Sequence, residues 1–333
     1  MNIFKKVTSK IKDAFYSLSV YFHNKFGRKK SQGRSTTKFN EILFIVIITA
    51  IPVLLFILGY VYVNISAIGL AFQEFNQETY SFNWVGLSNI EKVIKDLLLD
   101  DLISPMLGRS FIAYATNLLI GLPLNLIFAY VIYKKMPGHV FFQIILFLPS
   151  MVSSMVVTLM FQYSIDYILP SLMRNVFNYE MPNLLFEVDL IFPTLLFYRI
   201  WAGFGAALIL YSGAMSAIPE SIVESVQLDG ITPLKEFWYI TLPLIWKTIS
   251  VFLVVEISGI FGEKLALLNF YGKKADTNVQ TLGYYFFQTV ITDESFASYP
   301  YASASGIVFT LVTVPITLLA RWAFDKFGPS TEN

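Results

Sequence analysis

The sequence predicts an all-α, polytopic membrane protein, and three observations carry that prediction. Of 333 residues, 55% are hydrophobic and 17% aromatic but only 14% charged, with a mean hydropathy of +0.60. A soluble domain of this length buries a large core without so much apolar content. The apolar residues gather into six segments, 42–68, 110–133, 141–164, 190–213, 247–269 and 303–324. Each is near the ~20 residues that cross a bilayer as a helix. Charge is segregated along the chain although the net charge is only +1, so nothing draws the chain as a whole to nucleic acid.

In chain order, residues 1–26 alternate Lys5, Lys6, Lys10 and Lys12 with Ile3, Phe4, Val7, Ile11, Phe15 and Leu18. That spacing predicts an amphipathic helix with a basic face suited to anionic lipid; a disordered basic tail is the alternative. Gly27 to Thr37 reads as a polar linker, so residues 1–40 form a cytoplasmic tail and linker before a membrane domain at 41–325. Residues 326–333 form a cytoplasmic C-terminal tail. The first apolar run lacks a small-residue cleavage site and reads as an uncleaved span. Helices are expected throughout, because backbone exposed to lipid must bond to itself. Prolines 52, 123, 149, 193 and 315 lie inside spans and are expected to kink them. Between the first two spans, Phe82 to Asn89 leads into Ile90–Lys95, read as a short interfacial helix with an aromatic anchor.

Loop charge gives the orientation. Residues 1–40 hold ten Lys/Arg against one acid, Asp13, and Lys134 and Lys135 follow the second span. Segments 71–109, 165–189 and 270–302 together hold thirteen Asp/Glu and six Lys/Arg. The positive-inside rule then puts both termini in the cytoplasm. The loop at 214–246 falls on the same side.

That loop is the most structured inter-span segment. Residues 219–229 suit a helix with Pro219 in its first turn, where a missing N–H costs nothing. Glu220 and Glu224 lie one turn apart near its positive end. Asp229-Gly230 is a turn signal, because glycine tolerates a positive φ. Pro233 is expected to start a second short helix carrying Phe237 and Trp238, which Leu242-Pro243 ends. Two short helices joined at a glycine make a rigid knob. Phe237 and Trp238 are expected at an apolar tip, with Glu224 placed to meet a basic group on a partner.

The spacing from Glu224 through Gly230 to Leu242-Pro243, before the penultimate span, resembles the coupling loop of bacterial ABC importer permeases. The resemblance covers most of residues 40–325. Trp84-Val85-Gly86-Leu87-Ser88-Asn89 is similar to the family's segment after its first span. Phe141-Phe142-Gln143 through Leu148-Pro149-Ser150 is similar to the start of its third. The motif placing resembles the maltose-type carbohydrate importers, and the first permease of each pair. Three departures stand out: Ser225-Val226 replaces two alanines, Asn269 to Lys274 lacks a Gly-Pro step, and extra N-terminal spans and a large outer domain are not seen. The resemblance implies alternating access driven by a partner. The partners implied are a second, different permease, two copies of a cytoplasmic ATP-binding subunit, and an extracellular solute-binding protein, in the plasma membrane of a bacterium. It also implies a non-catalytic subunit with no cofactor of its own, ATP and Mg being held by the ATPase. The chain has no Gly-x-x-x-x-Gly-Lys-Ser/Thr loop.

By the same resemblance, substrate-pathway positions fall at Arg199, Ala202, Gly203 and Ala206 in span four, and at Glu256, Gly259, Ile260 and Glu263 in span five. Arg199, Glu256 and Glu263 also stand out unaided, because ionisable groups inside spans normally face a cavity or a partner. Glu256 and Glu263 are expected on one helical face, two turns apart, with Lys264 on another. Two readings stay open: a polar cavity binding hydroxyls or a charged group, and an Arg199–Glu256 pair locking two helices, with small residues allowing close packing. Tyr198, Trp201 and Phe204 are candidates for stacking on sugar rings.

An oligosaccharide importer is the leading function. A glycerol-phosphate or uronate-containing saccharide is the alternative within the class. A secondary transporter is the rival outside it, but two similar halves with broken helices are not visible. The absence of cysteine removes disulfides, thiolate metal sites and a cysteine nucleophile. His23 and His139 are too far apart in sequence to suggest a site.

Overall fold

The computed structural model describes residues 35–262, 265–292 and 296–329, with the side chains of 35–40 and Gln227 left aside. The basic stretch at 1–34 lies outside them. Contacts divide the chain into two units, one ending at Val63 and the other beginning at Asn64. A helix begins at Ser35 and continues as α1, the apolar helix Glu41–Leu70, whose residues up to Val63 belong to the first unit. Its side chains, Ile42 through Val63, are almost all exposed, as lipid-facing residues are.

The second unit is a helical bundle with one small hairpin. Strands β1 (Gln73–Asn76) and β2 (Ser81–Trp84) pair antiparallel, Phe75 opposite Phe82. The sequence reading did not anticipate this hairpin. Helix α2 (Ser88–Leu99) follows, with Trp84 stacked on Phe72 at 5.4 Å. Then come α3 (Ser104–Tyr133), α4 (His139–Met151), α5 (Ser154–Phe177), α6 (Val188–Ser216), α7 (Glu220–Leu228), α8 (Pro233–Leu244) and α9 (Trp246–Ser258). Short helices α10 (Leu267–Tyr271) and α11 (Leu282–Thr292) lead into α12 (Ser298–Phe327). Among the described residues, five helices are long and apolar enough to cross a membrane, or six if the bent pair α8–α9 counts as one span.

Two expected spans differ from what is observed. The segment 141–164 is not one helix, because Val152 and Ser153 adopt extended backbone. Ser153 caps α5 by accepting the Val156 N–H at 3.4 Å, so the chain restarts there as a separate, longer helix. The segment 247–269 ends early: α9 stops at Ser258 and the Gly259–Gly262 stretch turns away. Two glycines three residues apart, Gly259 and Gly262, remove the barrier to that turn.

Prolines leave the helices continuous more often than expected. Pro123, Pro170 and Pro243 each follow a widened turn, at Asn117–Gly121, Ser164–Ile168 and Phe237–Thr241. In each, the residue before the proline bonds five back: Leu122 to Asn117, Leu169 to Ser164, Leu242 to Phe237. The wider ring relieves the clash and missing donor that a proline brings to a regular helix.

The core is centred on α6. At Gly205, an added Cβ would overlap Ser150 of α4, so glycine permits that close crossing. Phe204, Leu208, Tyr211 and Met215 of α6 pack with Leu126, Ala129 and Tyr130 of α3 and Ile249 of α9. The other half of α6, Ile191, Leu195 and Tyr198, packs with Phe161 of α5 and Phe270 of α10. Helix α9 is tied to α12 by the Trp246 indole N–H donating to Phe324 O at 3.3 Å.

Candidate functional site

Two regions hold the sequence-predicted residues. The first is the loop at 214–246. Helix α7 ends as a glycine-capped helix should: the Ile231 N–H reaches back to Val226 O at 3.4 Å, and Gly230 takes φ +67°. Nothing lies within 4 Å of an added Cβ at Gly230, so backbone conformation alone selects glycine there. Glu220, Glu224 and Asp229 are exposed on the knob. Val226, at a position where the resemblance expects alanine, is buried.

Helix α8 departs from expectation twice. It runs through Leu242 and Pro243 to Leu244, and the 71° bend falls at Ile245. Phe237 is not at the tip: it is 4% exposed and packs on Tyr130 of α3, ring centroids 5.0 Å apart. Trp238 is exposed as expected. The apolar residues that accompany it outward are Leu228, at 88% exposure, Leu234 and Tyr239. A hydrophobic pattern marks that a helix is amphipathic, but neighbouring α3 decides which ring turns inward.

Beside Phe237, Glu236 is buried and meets Lys134 at 2.6 Å, with side chains 7% and 16% exposed. The Tyr130 hydroxyl donates to Pro233 O at 3.0 Å. Ring, ion pair and hydrogen bond together clamp the start of α8 to the end of α3. Sequence reading used Lys134 only as a sidedness signal and missed Glu236. An acid directly before the aromatic run Phe237-Trp238-Tyr239 was the available clue.

The second region is an open cavity of about 270 Å³ lined by α3, α6 and α9. From α6 it takes Arg199, Gly203, Ala207 and Tyr211; from α9, Phe252, Leu253 and Glu256; from α3, Tyr114, Asn117, Leu118, Leu122 and Asn125. Arg199 Nη2 donates to Glu256 Oε2 at 3.1 Å. The side chains are 10% and 37% exposed, so both line the cavity but the carboxylate is the more open of the two. Asn125 is 7% exposed; its amide donates to Gly121 O at 2.8 Å, and its Oδ1 has no protein partner. Asn117 begins the widened turn of α3, and its Oδ1 lies 2.5 Å from where a Gly121 Cβ would stand. Gly121 thus makes room for the Asn117 side chain.

Of the eight predicted pathway residues, Arg199, Gly203 and Glu256 meet at this cavity. Ala202 packs against the aromatic core and Ala206 is exposed elsewhere. Gly259 caps α9 and Ile260 lies in the turn beyond it. Because α9 stops at Ser258, the expected two-turn helical register from Glu256 to Glu263 does not form; Glu263 and Lys264 lie outside the described residues. The three aromatics proposed for stacking are core residues. Tyr198 shares a 2.7 Å hydrogen bond with Thr158 and packs edge-on to Phe270, Phe204 is buried, and Trp201 packs against Phe161. Tyr114, Asn117, Asn125 and Tyr211 were missed. Asn117 and Asn125 were detectable as the amides of one apolar span.

Membrane-length helices around a cavity with an intramembrane ion pair, joined by a folded helical loop, define a polytopic membrane permease. Residues 118–333 match the family described as binding-protein-dependent transport system inner membrane component, and the chain belongs to that family. It is 23% identical over 283 residues to the multiple sugar-binding transport system permease protein MsmF of Streptococcus mutans, covering 83% of this chain and 93% of that one. It is 26% identical over 297 residues to the polygalacturonan/rhamnogalacturonan transport system permease protein YteP of Bacillus subtilis, covering 84% and 87%. A chain of a bacterial ABC transporter involved in the import of the acidic polysaccharide alginate shares the fold, with a TM-score of 0.70 and 20% identity, covering 88% of this chain and 99% of that one.

Proposed function

We propose that this chain is one of two different permease subunits of an ATP-driven importer of oligosaccharides. Its termini and the 214–246 loop lie in the cytoplasm, on the side given by the positive-inside rule. The knob of α7 and α8 docks into a partner ATPase, two copies of which hold ATP and Mg; this chain is non-catalytic. An extracellular binding protein delivers the saccharide.

One observation carries the reading. Helix α3 is clamped to the loop through Lys134, Tyr130 and the buried Phe237, and the same helix lines the cavity with Asn125, Asn117 and Tyr114. A push on the knob is therefore a push on a cavity wall. The knob keeps Leu228, Leu234, Trp238 and Tyr239 outward, the apolar anchors a docking helix offers to a pocket. The cavity's ≈ 270 Å³ falls just under the ~300–1,000 Å³ of small-molecule sites. That suits one wall of a pathway completed by the second permease. The names of the relatives support a saccharide cargo.

The test is ATPase activity of the whole complex in nanodiscs, with its binding protein, against a panel of saccharides. Stimulation by one saccharide class, and its loss in Gly230→Trp while the spans still insert, is expected. Unchanged transport by Gly230→Trp would sink the docking role. Basal ATPase unresponsive to every saccharide would sink the cargo.

A further inference from the structure

An ion pair inside a span does not present both charges equally to what passes it. Arg199 and Glu256 both line the cavity, but the side chain of Glu256 is 37% exposed against 10% for Arg199. The more open of the two charges is therefore negative. The other polar groups of the wall, on Tyr114, Asn117, Asn125 and Tyr211, are neutral hydroxyls and amides. A wall whose more open charge is a carboxylate, set among neutral hydroxyls and amides, suits a hydroxyl-rich ligand that bears no negative charge.

The geometry points to Glu256 as the residue that selects neutral, hydroxyl-rich saccharides over acidic ones, by presenting its carboxylate more openly than Arg199 presents its guanidinium and so repelling carboxylates. This rests on the saccharide-importer reading and sharpens it. It also separates this chain from its structural likeness to an alginate importer, whose cargo is acidic. Like charges set against each other at a desolvated site are strongly unfavourable. The Arg199 guanidinium, which lines the same cavity, would hold an acidic sugar if the Glu256 carboxylate lost its charge.

The probe is a matched pair, trigalacturonate and its carboxyl-reduced neutral counterpart, which differ only in the carboxylates. Binding is measured to the assembled complex in nanodiscs with the binding protein omitted, so that only the membrane site discriminates. The wild-type complex is expected to favour the neutral trimer by about tenfold or more. Glu256→Gln, which keeps an acceptor for Arg199, is expected to bring that ratio to near one or below. Asn125→Asp, which adds a carboxylate to the wall, is expected to widen it, and covers the case in which Glu256→Gln fails to assemble. A wild-type complex that binds the acidic trimer as tightly as the neutral one overturns the inference and leaves the importer reading standing. So does a ratio unmoved in both variants. A wild type that binds neither trimer, at concentrations where its binding protein is saturated by a saccharide, overturns the saccharide reading together with the inference.

Discussion

Lys134 and Glu236 meet at 2.6 Å with side chains 16% and 7% exposed, whereas Arg199 and Glu256 meet at 3.1 Å with side chains 10% and 37% exposed. Both pairs join elements distant in sequence, and both sit among apolar residues. In the first, both charges are sealed from solvent, flanked by the Tyr130 hydroxyl on Pro233 O and the Phe237 ring. In the second, one charge is sealed and the other opens on a cavity. A sealed pair fixes a joint, because neither member has an alternative partner once separated. A half-open pair can meet a ligand without being unmade. The loop is thus attached by chemistry that resists change, and the cavity is walled by chemistry that can respond.

The largest effect is expected at the sealed joint. Lys134→Met leaves the Glu236 carboxylate buried and uncompensated, a loss of about 3–5 kcal/mol. Phe237→Ala, which empties the space on Tyr130, costs about as much, ~3–5 kcal/mol. Thermal unfolding of the purified protein in nanodiscs reads both. The swap Lys134→Glu with Glu236→Lys should recover part of the loss. No recovery would mean that the pair's charges are not what holds α8 to α3.

The half-open pair should be more forgiving from one side. Arg199→Met keeps most of the packing volume and leaves a carboxylate that the cavity can hydrate, so about 1–2 kcal/mol is expected. A loss as large as that of Lys134→Met would erase the distinction between the pairs. Gly230→Ala is expected to cost a similar amount for a different reason, since its Cβ meets nothing. The φ of +67° alone sets its cost, about 1–2 kcal/mol, read as a lowered unfolding midpoint without loss of insertion.

Legibility in the sequence follows the same division. Features set by neighbours in the chain were readable: the helix over 220–228, the positive φ at Gly230, the helix start at Pro233. Features set by packing across the bundle were not. Phe237 and Trp238 are adjacent and alike in type, and only the position of α3 turns one inward. Pro243 reads as a stop until the widened turn at Phe237–Thr241 absorbs it. Glu256 and Glu263 share a face only if the helix continues, and Gly259 and Gly262 end that premise. The amides Asn117 and Asn125 were in plain view, but α3 was not suspected of lining a cavity until its contacts with α6 and α9 were known.

The smallest expected change in stability separates the joint from the surface it holds out. Leu234 lies three residues before Phe237 on α8 and is 69% exposed. Its replacement by serine removes little packing within this chain, so stability should stay within about 0.5 kcal/mol of wild type. If the knob's exposed apolar residues fill a pocket on the ATPase, Leu234→Ser should nonetheless cut saccharide-stimulated ATPase activity severalfold, as loss of an apolar anchor does at an interface. Phe237→Ala should lower stability and coupling together, whereas Leu234→Ser should lower coupling alone. If both variants lose stability and coupling in the same proportion, the loop acts only through its fold, and the outward face of α8 is not a docking surface.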